Sequence, residues 1–547
     1  MTIKYTKEQL NKFDKDLLIE LFLGMQGQME ELSRQTQALN DRMQLMMEQM
    51  VLFQKNRFGR SSEKMADSEQ IRFMEVDGTI VFFNEAEAVC DLDAPEPEDL
   101  ELKAPKKKKQ PGKKAADIAG LTVKRIDHYL KEEELTAEFG ENGWKQLPDA
   151  ISRCYQFIPA SVVIEEHHIG VYSSKLDEHM IKAPHPRNLL HGSLVSPSLA
   201  AAVINGKYVN AVPLYRLEKE FERYGLAITR QNMANWMIRL GEEYLGTMYD
   251  YLHKLLYDYH VIQADETPVL VNKGGRPAGS QSYMWVYRSG FMYRDRQIIL
   301  YEYQKTRNAS HPREFLRDYT GICVTDGYQV YHTLEKEREN LKIAGCWVHC
   351  RRRFNDALEV IPKAHRKESI LHLIMKQIQA IYREEGKLSD FSTEDRLMQR
   401  QLVVKPLVDA FFAYLKQNEP KIPKNGKIRE AFTYALNQES YLKVFLEDGD
   451  VPIDNNASER AIRGFCIGKK NWEMIDTVNG ANSSAIIYSI AETAKANNLK
   501  PFDYFEYLLT EIPKHVDDKN TDFLAELLPW SDMLPENIRK PQKASGK

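Results

Sequence analysis

The run YHVIQADETPVLV (Tyr259–Val271) is apolar and β-branched, as strands are, yet it holds an aspartate, Asp265. Burying a carboxylate without a partner is costly. A chain that keeps Asp265 in a strand must face it into an open site or give it a cation. Two more strand-like runs follow, SYMWVYRSG (Ser282–Gly290) and RQIILYEYQKT (Arg296–Thr306), the first reached through a Gly-rich turn. Then come a short helix at HPREFLRDY, a strand in GICVTDGYQVY that ends in Asp326-Gly327, and a strand running into a helix at KIAGCWVHCRRRFNDALEV. Three strands, then helix, strand, helix and strand is an α/β order with hairpins first.

Ribonuclease-H-like domains have that order. The expectation is therefore a ribonuclease-H-like catalytic core over 255–500, with an α-helical insertion at 363–450 where no strand pattern shows. Upstream, 193–250 reads as helical. Pro213–Gly225 has Pro at its start and Gly at its end, and Ile228–Tyr244 has Thr229 as N-cap. Two helices joined by a tight Gly turn fit a helix-turn-helix-like unit. Arg230, Gln231, Asn232 and Asn235 at the second helix start are residue types that read base edges; a plain helical hairpin is the competing reading. Residues 119–192 look like a small mixed α+β domain, with Cys154–Tyr172 rich in strand-forming residues. The chain start carries an apolar heptad seam, Leu18, Met25, Leu32, Leu39, Met46 and Phe53 interleaved with Phe22, Met29, Met43 and Met50. That seam predicts a self-associating coiled-coil helix over 10–56. Residues 57–118 read as a basic motif (KNRFGRSSEK) and a charged linker, with six acids in 91–101 and seven lysines in 103–114. Residues 501–547 form a C-terminal element.

Asp265 and Asp326 both sit at strand positions that suit an open site. Two carboxylates held close repel unless a cation lies between them. Mg²⁺ prefers hard oxygen ligands, and a third carboxylate completes a two-metal site for phosphodiester chemistry. Glu459, in a helix capped by Asp454, Asn455 or Asn456, is the candidate third. Arg460, Arg463, Lys469 and Lys470 nearby suit phosphates. Each residue has a bland alternative. Asp265 can cap a turn, Asp326-Gly327 can be a plain turn, and Glu459 with Arg463 can be a surface ion pair. Cys346, His349 and Cys350 lie within five residues but lack a fourth ligand for a structural metal.

ADETP, TDGYQVYH, GCWVHCRRRF and DNNASERAIRGFCIGKKNW occur in that order. Together they resemble the motifs of insertion-sequence-sixty-six (IS66-type) transposases, a branch of the DDE transposases. KNRFGRSSEK, NGKYVNAVPLYRLEKEFERYG, SIAETAKANNLKPFDY and LLPW are similar to the same family. The resemblance implies a triad of Asp265, Asp326 and Glu459, spaced by 61 and 133 residues, that holds two Mg²⁺ (or Mn²⁺) ions. It implies cleavage at the ends of an insertion sequence and strand transfer into target DNA. The implied partners are those DNAs, a second copy of the chain joined through the coiled coil, and companion proteins of the element. The family's cysteine zinc module has no counterpart here: only Cys154 falls in that stretch, so no zinc is expected. That departure keeps open a catalytically silent DNA-binding protein derived from such a transposase, and a related nuclease acting on RNA or junctions.

Composition limits the alternatives. Lys+Arg 75 against Asp+Glu 79 leaves a net charge of −4, so any contact with nucleic acid depends on local clusters. Six cysteines with no C-x-x-C pair suit a reducing compartment. The start lacks a signal-like apolar run and no uncharged stretch reaches membrane-spanning length. The expected location is a bacterial cytoplasm, on DNA and away from membranes.

Overall fold

The computed structural model describes residues 73–76, 79–82, 131–140, 160–173, 180–184, 187–277, 279–518 and 520–541. The coiled-coil span, the KNRFGRSSEK motif and the acidic and lysine-rich blocks lie outside the described residues. The chain divides into two units, one of Met1–Asp41 and Ala150–Lys540 and one of Arg42–Asp149 and Pro541–Lys547. The described part of the smaller unit holds an antiparallel pair, β1 (Phe73–Val76) and β2 (Thr79–Phe82), and helix α1 (Glu132–Phe139).

In the larger unit a short antiparallel pair, β3 (Val171–Ser173) and β4 (Met180–Lys182), precedes the helices. Of the strand pattern expected through Cys154–Tyr172, the described residues begin at 160 and form a strand from Val171. Residues 160–170 form no strand, and Val163 and Ile164 are exposed. β-branched composition favours a pleated surface, but a strand also needs a neighbour to pair with. Helices α2 (Pro197–Ile204), α3 (Leu214–Arg223), α4 (Arg230–Leu240) and α5 (Gly246–Leu256) follow. The Thr229 hydroxyl accepts the Asn232 backbone N–H at 3.2 Å, capping α4.

The central sheet contains β5 (Val261–Lys273), β6 (Gln281–Ser289), β7 (Ile299–Gln304), β8 (Gly321–Thr325) and β9 (Leu341–Gly345). Helices α6 (Ser310–Phe315) and α7 (Gln329–Glu337) make the crossovers, and α8 (Trp347–Val360) leaves β9. The strand order is β7-β6-β5-β8-β9, with β5, β6 and β7 antiparallel and β5, β8 and β9 parallel. This is the ribonuclease-H-like arrangement. Alternate residues feed two cores. Ile262 and Cys323 pack on one side; Val261, Ile322 and Val324 pack on the other. A strand buried on both faces reads as an unbroken apolar run, which is why these strands are legible.

The second core is shared with an insertion of five helices, α9 (Ile370–Gly386), α10 (Thr393–Gln399), α11 (Lys405–Asn418), α12 (Lys427–Asn437) and α13 (Glu439–Lys443). Arg400, fully buried, binds Glu385 and donates to the Phe445 and Asp448 carbonyls at 2.8 and 2.6 Å. The chain then returns through α14 (Asn456–Trp472), a sixth strand β10 (Met474–Thr477), α15 (Val478–Ala496), α16 (Pro501–Glu511) and α17 (Leu524–Leu527).

β7 is the sheet edge, where unpaired N–H groups invite foreign strands. Here α15 covers it. Ser489 accepts the Tyr301 N–H at 2.7 Å and Thr493 accepts the Ile299 N–H at 2.9 Å. Just after these positions, Glu302 on β7 is largely buried. Burial pushes its carboxyl up to about 7, although Gln304 donates to it. A folded pKa above the unfolded one stabilises the fold at low pH, and that contribution disappears as pH rises through about 7. Glu302→Gln is expected to leave the melting temperature unchanged near pH 4 and to raise it at pH 8. The gain should be on the order of 2 kcal/mol. Parallel melting curves across that range are the check.

Candidate active site

β5 changes partners along its length. β8 pairs in parallel with Val261–Gln263, and β10 pairs in parallel with Leu270–Lys273. The backbone between them, carrying Asp265 and Glu266, has no strand on that side. The start of α14 reaches this gap. Asn455 donates through Nδ2 to the Ala264 carbonyl at 2.8 Å, and its Oδ1 accepts from Gln263 Nε2 at 3.1 Å. Gln263 also donates to the Asp454 carbonyl and accepts the Phe291 N–H at 3.0 Å. The Asn455 N–H donates to Cys346 Sγ at 3.2 Å. Gln263 and Asn455 are fully buried, so each amide needs these partners. Of the three candidate caps, Asn455 occupies the N-cap position but spends its side chain on β5, while Asp454, one residue earlier, accepts the Asn456 N–H at 3.1 Å.

Asp326 follows the last residue of β8. Its Oδ1 accepts the Tyr328 N–H at 2.9 Å, closing a tight turn. Gly327 has φ +90°, and a Cβ there would lie 2.9 Å from the Tyr434 hydroxyl, so the Asp-Gly pair is required by space as well as by backbone. That hydroxyl, on α12 of the insertion, donates to the Asp326 carbonyl at 3.0 Å.

Glu459 lies in the first turn of α14. Its Oε1 is 4.0 Å from His349 Nδ1 and its Oε2 is 3.7 Å from Arg352 Nη2. Its ionic neighbours among the described residues are thus on α8; the Glu459–Arg463 surface pair does not form. Glu459 Oε1 and His349 Nδ1 are buried without a hydrogen-bond partner.

The three predicted carboxylates share one electrostatic neighbourhood. Burial raises Asp265 well above the usual carboxylate range, and Glu266, Asp326 and Glu459 each raise it further; only the Glu266 N–H pulls the other way. No cationic side chain offsets the repulsion at Asp265, and Glu459 presents an unpartnered buried oxygen. An all-oxygen donor set with this deficit fits a hard divalent cation. Cys346, His349 and Glu459 also bring one ligand atom each within 4.8 Å of one another. Cys346 Sγ already accepts a backbone N–H, and burial pushes its thiol up to about 12, which opposes the thiolate that zinc takes. Cys350 stays in the apolar core.

Glu266 was not anticipated as part of this site. It is 2% exposed and is paired with Arg307, whose Nε lies 2.6 Å away. Burial and Asp326 push its carboxyl up to about 7 against the pull of Arg307. The Arg307 guanidinium lies 3.7 Å from the Tyr328 ring centre, directly beside Asp326. The only signal in sequence was its place next to Asp265. His349 is the second such residue, visible only as a member of GCWVHC.

Of the predicted DNA-contacting residues, Arg230, Gln231, Asn232 and Asn235 are exposed at the start of α4. Arg460, Arg463 and Lys470 are exposed on α14, whereas Lys469 donates to the Pro268 carbonyl at 2.7 Å and ties α14 to β5.

A ribonuclease-H-like sheet with an aspartate on its first strand and another just past its fourth is compatible with a transposase core. The family model described as "Transposase IS66 family" matches residues 192–483, "IS66 C-terminal element" matches 489–530, and "Transposase C of IS166 homeodomain" matches 45–126. The chain belongs to the IS66 transposase family. Transposases of this kind generally use divalent metal ions. Two similar proteins are from Sinorhizobium fredii (strain NBRC 101917 / NGR234). "Uncharacterized protein y4qI" is 28% identical over 369 residues, 66% of this chain and 67% of its own. "Uncharacterized protein y4jD" is 24% identical over 433 residues, 76% of this chain and 82% of its own. Among solved structures, "Mos1 transposase paired-end complex with left transposon end" is 13% identical and covers 34% of this chain and 67% of its own. Its TM-score of 0.13 is too low to bear on the fold.

Asn455→Ala removes the amide that joins α14 to β5, leaves the Ala264 carbonyl without that donor and takes one of three hydrogen bonds from Gln263. Chemical denaturation should show a loss of roughly 2–4 kcal/mol. Retention of wild-type stability would mean that the junction does not hold the helix.

Proposed function

We propose that the chain catalyses metal-dependent cleavage at the ends of an insertion sequence and transfer of the freed 3′ strand into target DNA. The supporting observation is the mutual repulsion of Asp265, Asp326 and Glu459 beside a stretch of β5 with no strand on one side, in a chain of this family. In this reading the three carboxylates hold Mg²⁺ or Mn²⁺, two ions in all. The bound metal supplies Lewis-acid polarisation of the scissile phosphate and lowers the pKa of the attacking water. The chain's own groups do the rest. β5 and the Tyr434-braced turn hold the two aspartates rigidly, so no reorganisation is needed when the phosphate arrives. Glu459 is carried in by the Asn455 junction. Arg352, Arg460, Arg463 and Lys470 bind flanking phosphates, and Arg307 stays beside Asp326 through its pairing with Glu266. Water attacks the phosphorus and the 3′ oxygen leaves; that 3′ hydroxyl then attacks a target phosphate in the second step.

Arg230, Gln231, Asn232 and Asn235 on α4 read base edges in the DNA. No helix among the described residues is long and apolar enough to cross a membrane, and we assign the protein to DNA in a bacterial cytoplasm. Companion proteins of the element join the reaction there.

Asp265→Asn, Asp326→Asn and Glu459→Gln should each lower cleavage of an end-sequence duplex by at least about a thousandfold, about 4 kcal/mol of barrier. Binding of the same duplex in Ca²⁺ should persist. Cleavage by Asp265→Asn at the wild-type rate would exclude the assignment. Deleting residues 18–53 should abolish complexes holding two DNA ends, seen by gel mobility, while single-end binding remains. Paired complexes that survive the deletion would remove the coiled coil from this role.

A further inference from the structure

A cleft of about 210 Å³ opens between the β6–β7 loop and the start of α14, the helix that carries Glu459, and is lined by Gln263, Phe291, Pro452, Asp454, Asn456 and Arg460. Sites for drug-sized ligands run to roughly 300–1,000 Å³. This one suits a single planar ring system.

Its walls are built for such a ring. Phe291 is 44% exposed, yet its backbone is fixed. Its N–H donates to buried Gln263 at 3.0 Å, and the Gly290 N–H donates to the Val261 carbonyl at 2.8 Å. The ring is therefore presented rigidly rather than on a loose loop. The exposed Arg460 guanidinium sits over it, 5.6 Å from the ring centre. An aromatic face and a guanidinium plane are the two surfaces on which unpaired bases stack. At the floor, Asn456 donates to Asp454 Oδ2 at 2.9 Å. That amide–carboxylate pair offers hydrogen-bonding groups to the polar edge of a heterocycle. Gln263 spends its own amide on Phe291, Asp454 and Asn455, so it shapes the cleft without reading the ligand.

Position supplies the rest. Glu459 and Arg460 are consecutive on one helix turn, where the rise is about 1.5 Å per residue. Successive helix residues point about 100° apart, so Glu459 faces His349 and Arg352 on α8 while Arg460 faces Phe291, and a strand passing the start of α14 runs by both. We propose that the cleft receives one unstacked nucleobase of the DNA end, adjacent to the cleaved phosphate, with Phe291 as its stacking platform and Arg460 covering it. The inference rests on the transposase reading above and adds the nucleobase site to it. Extruding a base loses stacking in the duplex, and stacking on Phe291 replaces it.

The test uses the full chain in Ca²⁺ and duplexes of the terminal sequence flanking its own coding element, with 2-aminopurine at each position around the cleaved phosphate in turn. One position should brighten about threefold or more on binding, as its base leaves the stack. Phe291→Ala should abolish that change and weaken binding about tenfold, whereas Phe291→Trp should keep it. Phe291→Leu, which preserves apolar bulk without an aromatic face, should behave as Phe291→Ala and guards against a folding defect. An abasic site at the bright position should leave wild-type binding unchanged or tighter. If the duplex is bound and cleaved but no position brightens, or if Phe291→Leu keeps the signal, the nucleobase site is wrong and the transposase reading stands. If the duplex is neither bound nor cleaved, both fall.

Discussion

The buried amide pair of Gln263 and Asn455 is the joint on which the site depends. It links residues 192 positions apart and fixes the start of α14 against the stretch of β5 that has no strand on the β8–β10 side. Each amide is satisfied by backbone or by the other, which is the condition under which buried polar groups specify a geometry rather than weaken it. Through this joint the helix carrying Glu459 is set against β5, and Phe291 is held beside Arg460.

The carboxylates oppose the fold that holds them. Burial and mutual repulsion both disfavour the ionised form of Asp265, and the surroundings tolerate this by over-determining the backbone. Tyr434 braces the Asp326 turn from the helical insertion, and Lys469 clamps the far end of α14 to Pro268. The insertion is thereby more than a spacer: it shares the core of α8 and β8 and reaches the second aspartate directly. Glu266 and Arg307 add a neutralised pair at the edge of the cluster, keeping a guanidinium beside Asp326 without placing it against Asp265.

Much of this was readable. The strands β5 to β9 show as apolar runs because both of their faces are buried, and α3 and α4 show through Pro, Gly and Thr signals at their ends. The candidate carboxylates were readable because charge inside an apolar strand is expensive. What could not be read depended on partners far along the chain. β10 is a four-residue strand whose identity rests on pairing with the end of β5. Residues 160–170 have strand composition and no neighbour. Glu459 has an arginine at helical spacing, yet its contacts are His349 and Arg352 on another helix. Glu266 follows Asp265 directly, and strand alternation alone would send it to the opposite face.

By itself the sequence determined the order of elements, the two-sided burial of the central strands and the residue types able to hold a cation, since these follow from local pattern and the cost of burying charge. Only the tertiary structure decided which helix is joined to β5, that Arg307 pairs with Glu266 and Arg352 lies near Glu459, and that Phe291 stands fixed beside Arg460. Those outcomes come from hydrogen bonds and packing between segments that are remote in sequence, and such partners leave no periodic trace in the chain.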